Sequence, residues 1–226
     1  MADVLLSCSH VAKRFVSRGK TTDVLRDVNL TVEANQIVVI RGRSGTGKST
    51  LLQILAGLDR PTTGCVQIAG RSLEDLTARE LLALRRQTTG FIFQNLNLIP
   101  SWTAGQNVEA VLIHTHLSRS QRRRRVQEML EHLGLGDRID YLPSELSAGQ
   151  QQRVAVARAL IHAPPLVFAD EPTGDVDPET AKSIMDCLAG LVRANAAALV
   201  VCTHGELTWG TPSQHYLLHD GTTTPA

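Results

Sequence analysis

The chain has 226 residues, enough for one large domain or a domain with a sub-domain. A formal net charge of +1 excludes a strong field drawing it to nucleic acid or acidic lipid. A hydrophobic content of 42% suits a globule with a substantial core, and no apolar run approaches the ~18 residues of a membrane helix. The start, Met1 to Leu6, has no basic flank and too short an apolar stretch for a secretory signal. Cys8, Cys65, Cys187 and Cys202 form no Cys-x-x-Cys pair and read as buried small hydrophobes in a reducing compartment. A cytosolic location is expected, with any membrane role coming through a partner.

Residues 4–40 read as strands and turns. Val28, Leu30 and Val32 alternate with Asp27, Asn29 and Thr31, the period of a half-buried strand. Phe15 lies among basic and polar residues; it could stack on a base or belong to the core. Asn35 falls at a turn where a left-handed backbone suits Asn. The apolar run Ile37 to Ile40 then leads into Gly42-Arg43-Ser44-Gly45-Thr46-Gly47-Lys48-Ser49-Thr50. With the apolar residues Leu51 to Leu55 after it, this reads as buried strand, glycine-rich turn and helix start, with the spacing of a phosphate-binding loop. The glycines let successive N–H groups point at one anion, and the helix adds its unpaired N–H groups and dipole. Lys48 supplies a charge for the β- and γ-phosphates, and the Ser49 hydroxyl suits Mg2+.

Gly57 suits a helix C-cap, Pro61 to Gly64 a turn, and Cys65 to Ala69 a short strand closed by Gly70. Leu76, Glu80, Leu81 and Leu84 predict a helix ending near Arg86, and Phe91-Ile92-Phe93-Gln94 a short strand. Trp102, in a segment broken by Pro100, could be core or partner surface. A helix from Ser118 ends at Gly134; in a near-neutral chain its run Arg122 to Arg125 reads as a solvated face rather than a nucleic-acid site. Ser147 is a natural N-cap for a helix running to Ile161. A second buried strand, Leu166 to Ala169, ends in Asp170-Glu171. Asp177-Pro178 starts a helix, a third apolar strand from Ala198 to Cys202 ends in Thr203-His204, and Asp220-Gly221 is a hairpin turn.

Three apolar strands thus deliver polar groups at their C-terminal ends, which in a mostly parallel sheet form one crevice. There Asp170 would hold Mg2+ and Glu171 would act as general base for an attacking water.

These motifs resemble the ATP-binding-cassette ATPases across nearly the whole chain. Gly42 to Thr50 matches the family's Walker A loop, and Gln94 the glutamine that reaches Mg2+ and water and senses a membrane partner. Leu146-Ser147-Ala148-Gly149-Gln150 matches the signature motif, and Leu166 to Asp170 matches Walker B, with Glu171 the catalytic carboxylate. Asp177 matches the D-loop aspartate, His204 the switch histidine and Phe15 the adenine-stacking aromatic. The resemblance implies an α/β fold: a P-loop NTPase (RecA-like) core with an antiparallel β sub-domain over residues 1–88 and 160–226, and an inserted helical sub-domain over 89–159. It implies ATP and Mg2+ as ligands, and a head-to-tail homodimer in which Ser147 to Gln150 of one copy meet the nucleotide of the other.

Gly90 to Gln94, Leu98-Ile99-Pro100, Thr103 and Asn107-Val108 look like the branch serving macrolide and peptide exporters, lipoprotein release, haem efflux and cell division. That implies a permease with about four helices per chain, docked near Gln94 to Trp102 at the cytoplasmic membrane face, and either export of an amphipathic compound or divisome-type signalling without transport. A DNA- or ribosome-acting relative is disfavoured: only about fifty residues separate Gln94 from Leu146, and there is one phosphate loop. Ala148 replaces a signature glycine, Asp175 a common Asn, Asn35-Gln36 a Gly-Glu turn and Gln106 a common Glu. Gly205 stands where Asp is common, which leaves open what orients His204.

Overall fold

The computed structural model describes residues 3–174, 176–205 and 213–226. The chain opens with a long antiparallel hairpin, β1 (Val4–Ser17) and β2 (Lys20–Glu33), turned at Arg18 and Gly19, which both have positive φ. Then follow β3 (Ile37–Arg41), α1 (Lys48–Leu55), β4 (Thr63–Ile68), β5 (Arg71–Ser72), α2 (Ala78–Thr88) and β6 (Thr89–Ile92). Helices α3 (Ala104–Glu109), α4 (Arg119–His132) and α5 (Ala148–Leu160) come next, with short 3-10 turns between them. The chain continues through β7 (Leu166–Asp170), α6 (Pro178–Ala194), β8 (Ala198–Thr203), β9 (Gln214–His219) and β10 (Thr222–Pro225).

The strands form one mixed sheet in the order β5-β4-β1-β2-β10-β9-β3-β8-β7-β6. Its first half is antiparallel, while β9, β3, β8, β7 and β6 run parallel to one another. The β9–β10 hairpin joins the halves, with β9 parallel to β3 and β10 parallel to β2.

Period-two alternation sorts the core. Val38 and Ile40, Leu166 and Phe168, and Ala198, Val200 and Cys202 share one buried cluster with Leu51, Leu52, Ile54 and Leu55 of α1. Ile37 and Val39, Val167 and Ala169, and Leu199 and Val201 face the other way, onto α5, α6 and the helices between. Both faces of the parallel half are therefore covered, which is why its strands read as continuous apolar runs.

Several expectations need adjustment. Gly64 lies inside β4, at φ 89°, where an added Cβ would sit 2.3 Å from the His10 carbonyl oxygen; close approach of β1, rather than the turn, requires the glycine. The predicted strand Phe91 to Gln94 leaves its ladder after Ile92. The helix expected from Leu76 starts at Ala78 behind a Thr77–Glu80 capping box and runs to Thr88. Helix α3 was not expected at all. Cys8 and Cys202 are buried but Cys65 and Cys187 only half so, and all four are free thiols. Burial pushes the Cys8 thiol up to about 12. Trp102 is half-buried. Arg122 bonds Glu109 while Arg123, Arg124 and Arg125 are exposed, as for a solvated face. Among the described residues no helix is long and apolar enough to cross a membrane.

Candidate functional site

Because β8 lies between β3 and β7, and all three run the same way, their C-terminal ends share one edge. The 42–49 loop follows β3, Asp170 closes β7, and Thr203-His204 close β8. Gln94 lies just past β6, at the end of the same parallel set.

The loop is shaped for an anion. Gly47, at φ 97°, is the N-cap of α1 and supplies no side-chain cap, and α1 has no acid in its first turn. Its first N–H groups thus face the loop without a competing carboxylate. An added Cβ on Gly42 would lie 2.7 Å from the Leu218 carbonyl oxygen, and one on Gly47 2.6 Å from Val24 Cγ1, so neither position accepts a larger residue without movement. Lys48 is 5% exposed; its Nζ donates to the Gly42 and Arg43 carbonyls at 2.9 and 3.1 Å and lies 3.5 Å from Glu171 Oε1.

Asp170 is 4% exposed, and its Oδ1 has no hydrogen-bond partner among the described residues. Burial raises its carboxyl above the usual aspartate range and the Glu171 charge adds to this, while a Ser49 hydrogen bond and the Lys48 charge oppose. A buried, unpartnered carboxylate oxygen beside a serine hydroxyl, at the mouth of an anion loop, fits a hard divalent cation. Neighbouring strand residues ordinarily point to opposite faces. Glu171 escapes this by turning left-handed, φ 47°, with its N–H bonded to the Cys202 carbonyl at 2.9 Å. Such a conformation costs about 1–3 kcal/mol and brings both carboxylates to one crevice. The His204 Nδ1–H donates to Glu171 Oε2. Gly205 bonds the Thr203 hydroxyl through its own N–H, so Glu171, not the residue after the histidine, orients His204.

Gln94 and Glu171 line a cavity of about 300 Å³ with Asn95, Leu96, Ala148 and Gln152. Gln152 is buried and its Nε2 has no partner among the described residues. At the start of α5, Ser147 Oγ accepts from the Gln150 N–H at 3.3 Å and Gln150 Oε1 accepts from the Ser147 N–H at 2.9 Å, a capping box. Ser147, Ala148, Gly149 and Gln150 line a second cavity with Asp177 and Thr180, and no residue of the 42–50 loop borders it. Within one chain the two anion-suited helix starts are therefore not brought together. Asp177 caps α6, accepting from the Glu179 and Thr180 N–H groups at 3.1 and 2.9 Å, and hydrogen bonds from Thr180, its side chain first and its N–H second, hold the carboxyl below the usual range. Asp175 lies outside the described residues. Phe15 is 44% exposed, which removes the core alternative, and the Lys13 ammonium sits 5.1 Å from its ring centroid. Phe15 pairs with Thr22, two residues from the Val24 side chain that a Cβ on Gly47 would meet, so this part of the hairpin stands beside the loop.

Asn107, read from the sequence only as a mark of the exporter branch, and Arg158, which sequence reasoning missed, hold the segment after Gln94. Asn107, 1% exposed, accepts from the Ile99 N–H at 2.7 Å and donates to the Ile99, Trp102 and Thr103 carbonyls at 3.2, 3.0 and 3.0 Å. The Thr103–Gln106 capping box beneath it was a readable signal. Arg158 of α5 donates to the Leu96 and Asn97 carbonyls, the latter at 2.6 Å; no local pattern announces that contact.

Residues 25–174 match the family model described as ABC transporter. The ABC transporter ATP-binding protein YknY of Bacillus subtilis (strain 168) is 38% identical over 222 residues, covering 98% of this chain and 96% of that protein. The macrolide export ATP-binding/permease protein MacB of Salmonella typhimurium (strain LT2) is 41% identical over 217 residues; this chain spans 33% of its length. The dimeric post-hydrolysis structure of the ATP-binding cassette MJ0796 bound to ADP and Pi superimposes with a TM-score of 0.87, at 37% identity, covering 98% of both chains.

Proposed function

The chain belongs to the ABC transporter family and is an ATPase, and on that premise we propose that two copies close head to tail around two ATP molecules and drive a membrane permease. One observation carries this reading: the loop at 42–50 and the Ser147-capped start of α5 are both suited to phosphate, yet the cavity lined by Ser147 to Gln150 includes no residue of that loop. A second copy, inverted, supplies Ser147, Ala148, Gly149 and Gln150 to the nucleotide held by the first, with Asp177 at the seam. The dimeric, ADP- and Pi-bound relative supports this arrangement.

In the closed pair, the N–H groups of Gly42 to Thr50 cradle the phosphates and Lys48 leaves its carbonyl partners for them. Phe15 stacks on the adenine. Ser49, Asp170 and Gln94 would hold Mg2+, which supplies charge neutralisation at the phosphoryl oxygens when bound. Glu171 accepts the proton of the water whose oxygen bonds the γ-phosphorus as the bridging P–O bond breaks, and His204 fixes the Glu171 carboxylate. Closure excludes bulk water from the crevice. The permease, with about four helices per chain, docks along Gln94 to Trp102, keeping the ATPase at the cytoplasmic face of the membrane, and the pair exports or extracts an amphipathic compound. The MacB relative, whose name joins ATP-binding and permease functions, favours export over signalling alone. Residues 1–88 and 160–226 then act as the nucleotide core and 89–159 as the arm that meets the permease.

The test is Glu171→Gln. Turnover is expected to fall about 10²–10⁴-fold, the usual worth of a general base. Light scattering should show dimers forming in Mg-ATP and dissociating when it is removed. A Glu171→Gln protein that stays monomeric at saturating Mg-ATP, or hydrolyses at the wild-type rate, overturns the reading.

A further inference from the structure

Gln94 occupies a tight turn closed by the Leu96 N–H on the Phe93 carbonyl at 2.9 Å. Leu96 and Asn97, with φ of 57° and 49°, are two non-glycine residues in succession in the left-handed region. Asn97 suits that region but Leu96 does not, so something outside the turn must help hold it. The holder is Arg158. Its two terminal nitrogens donate one each to the Leu96 and Asn97 carbonyls, across 62 and 61 residues of chain. The planar fork matches two neighbouring acceptors, which a point-like ammonium does not. Among the described residues Arg158 pairs with no carboxylate, and burial alone lowers its pKa. A half-buried guanidinium balanced only by two strained carbonyls is a costly arrangement for mere packing.

We infer that Arg158 is a positioning residue: it fastens the turn carrying Gln94, and the 98–102 segment beyond it, to helix α5, whose first residues are Ser147 to Gln150. This rests on the reading of Gln94 given above. Arg158 lies about 16 Å along α5 from Ser147, at 1.5 Å per residue. The far end of the 98–102 segment is already tied down by Asn107. With both ends held, a push on this segment moves Gln94 and the start of α5 together instead of being absorbed by loop bending. Among the described residues the hydrogen bonds of Arg158 go to Leu96 and Asn97 and not to the phosphate loop, so nucleotide affinity should depend little on it.

The experiment is a double-mutant cycle in the full chain with Arg158→Met, Gln94→Ala and the double variant. Arg158→Met is expected to lower kcat about tenfold, the scale of a modest misplacement of a catalytic group, with the Kd for ATP within about twofold. In the Gln94→Ala background the further loss is expected to vanish, because the residue being positioned is gone. Hydrogen exchange should speed up at the Leu96 to Ile99 amides and stay unchanged in the α5 interior. Arg158→Lys should recover only part of the rate; if Arg158→Met does not fold, the same cycle is run with Arg158→Lys. Additive effects, a kcat within twofold of wild type, or a loss confined to ATP affinity would overturn the inference. Failure of the wider reading shows separately, in the dimerisation and turnover of Glu171→Gln.

Discussion

Replacing Asp170 by Asn should make the empty protein more stable and the enzyme useless. The carboxylate is almost fully buried, with one oxygen unpartnered, and burial dominates the forces on it. An unsatisfied buried polar group costs about 1–3 kcal/mol. Asn removes the charge but brings its own N–H donors into the same wall, so the lower part of that range applies, about 1–2 kcal/mol. For a chain of this size that is a rise of about 2–8 °C in Tm without ligand. The sign with pH follows from the raised pKa. The charged form is disfavoured in the fold, so the penalty is absent below the ordinary aspartate value of 3.8 and grows as pH climbs through the folded value. The stability gap between variant and wild type therefore widens from acid to neutral pH. With Mg-ATP the order reverses: wild type gains the stabilisation of a ligand bound only to the fold, about 2.7 kcal/mol at one hundred times Kd, and the variant loses its Mg2+-dependent share. Differential scanning fluorimetry with ATP, with and without Mg2+, across pH reads all of this. A variant less stable than wild type when empty, or one showing an undiminished Mg2+-dependent shift, would refute the argument that this oxygen is kept vacant for a cation.

Two further outcomes follow from the same geometry. Phe15→Ala should weaken ATP binding about tenfold, the worth of one stacked base, and leave Tm nearly unchanged because the ring is exposed; isothermal titration beside a melting curve checks both halves. Asn107→Asp should be at least as damaging as Asn107→Ala, lowering stability by about 2–3 kcal/mol in urea denaturation, because a carboxylate keeps the acceptor for Ile99 but meets three carbonyls that need a donor.

What was legible in the sequence was whatever is decided within a few residues. Asn35 at φ 61°, the Ser118 and Ser147 caps and the Asp220-Gly221 hairpin are local choices of turn chemistry, and each could be read from residue type alone. The crevice was legible for another reason: strands buried on both faces announce themselves as apolar runs, and polar residues where such runs stop must lie at a sheet edge. Helix α3 escaped because six residues including Gly105 carry little periodicity; Asn107 and the 103–106 capping box hold it, not an apolar stripe. The lateral order β3-β8-β7 and the grip of Arg158 on Leu96 and Asn97 are agreements between distant stretches of chain, to which propensity and spacing are blind. Phe15 illustrates the limit from the other side: the residue type allowed two fates, and only the exposed face of β1 chose between them.

The β9–β10 hairpin has a consequence for biosynthesis. It is the only link between the antiparallel and parallel halves of the sheet among the described strands, and it follows every other strand in chain order. While a ribosome is still making it, β2 and β3 each present an unpaired flank, the geometry that invites adhesion to other nascent chains. Completion of the sheet therefore waits on residues 214–225, and the interval before they emerge is when this polypeptide most needs a chaperone.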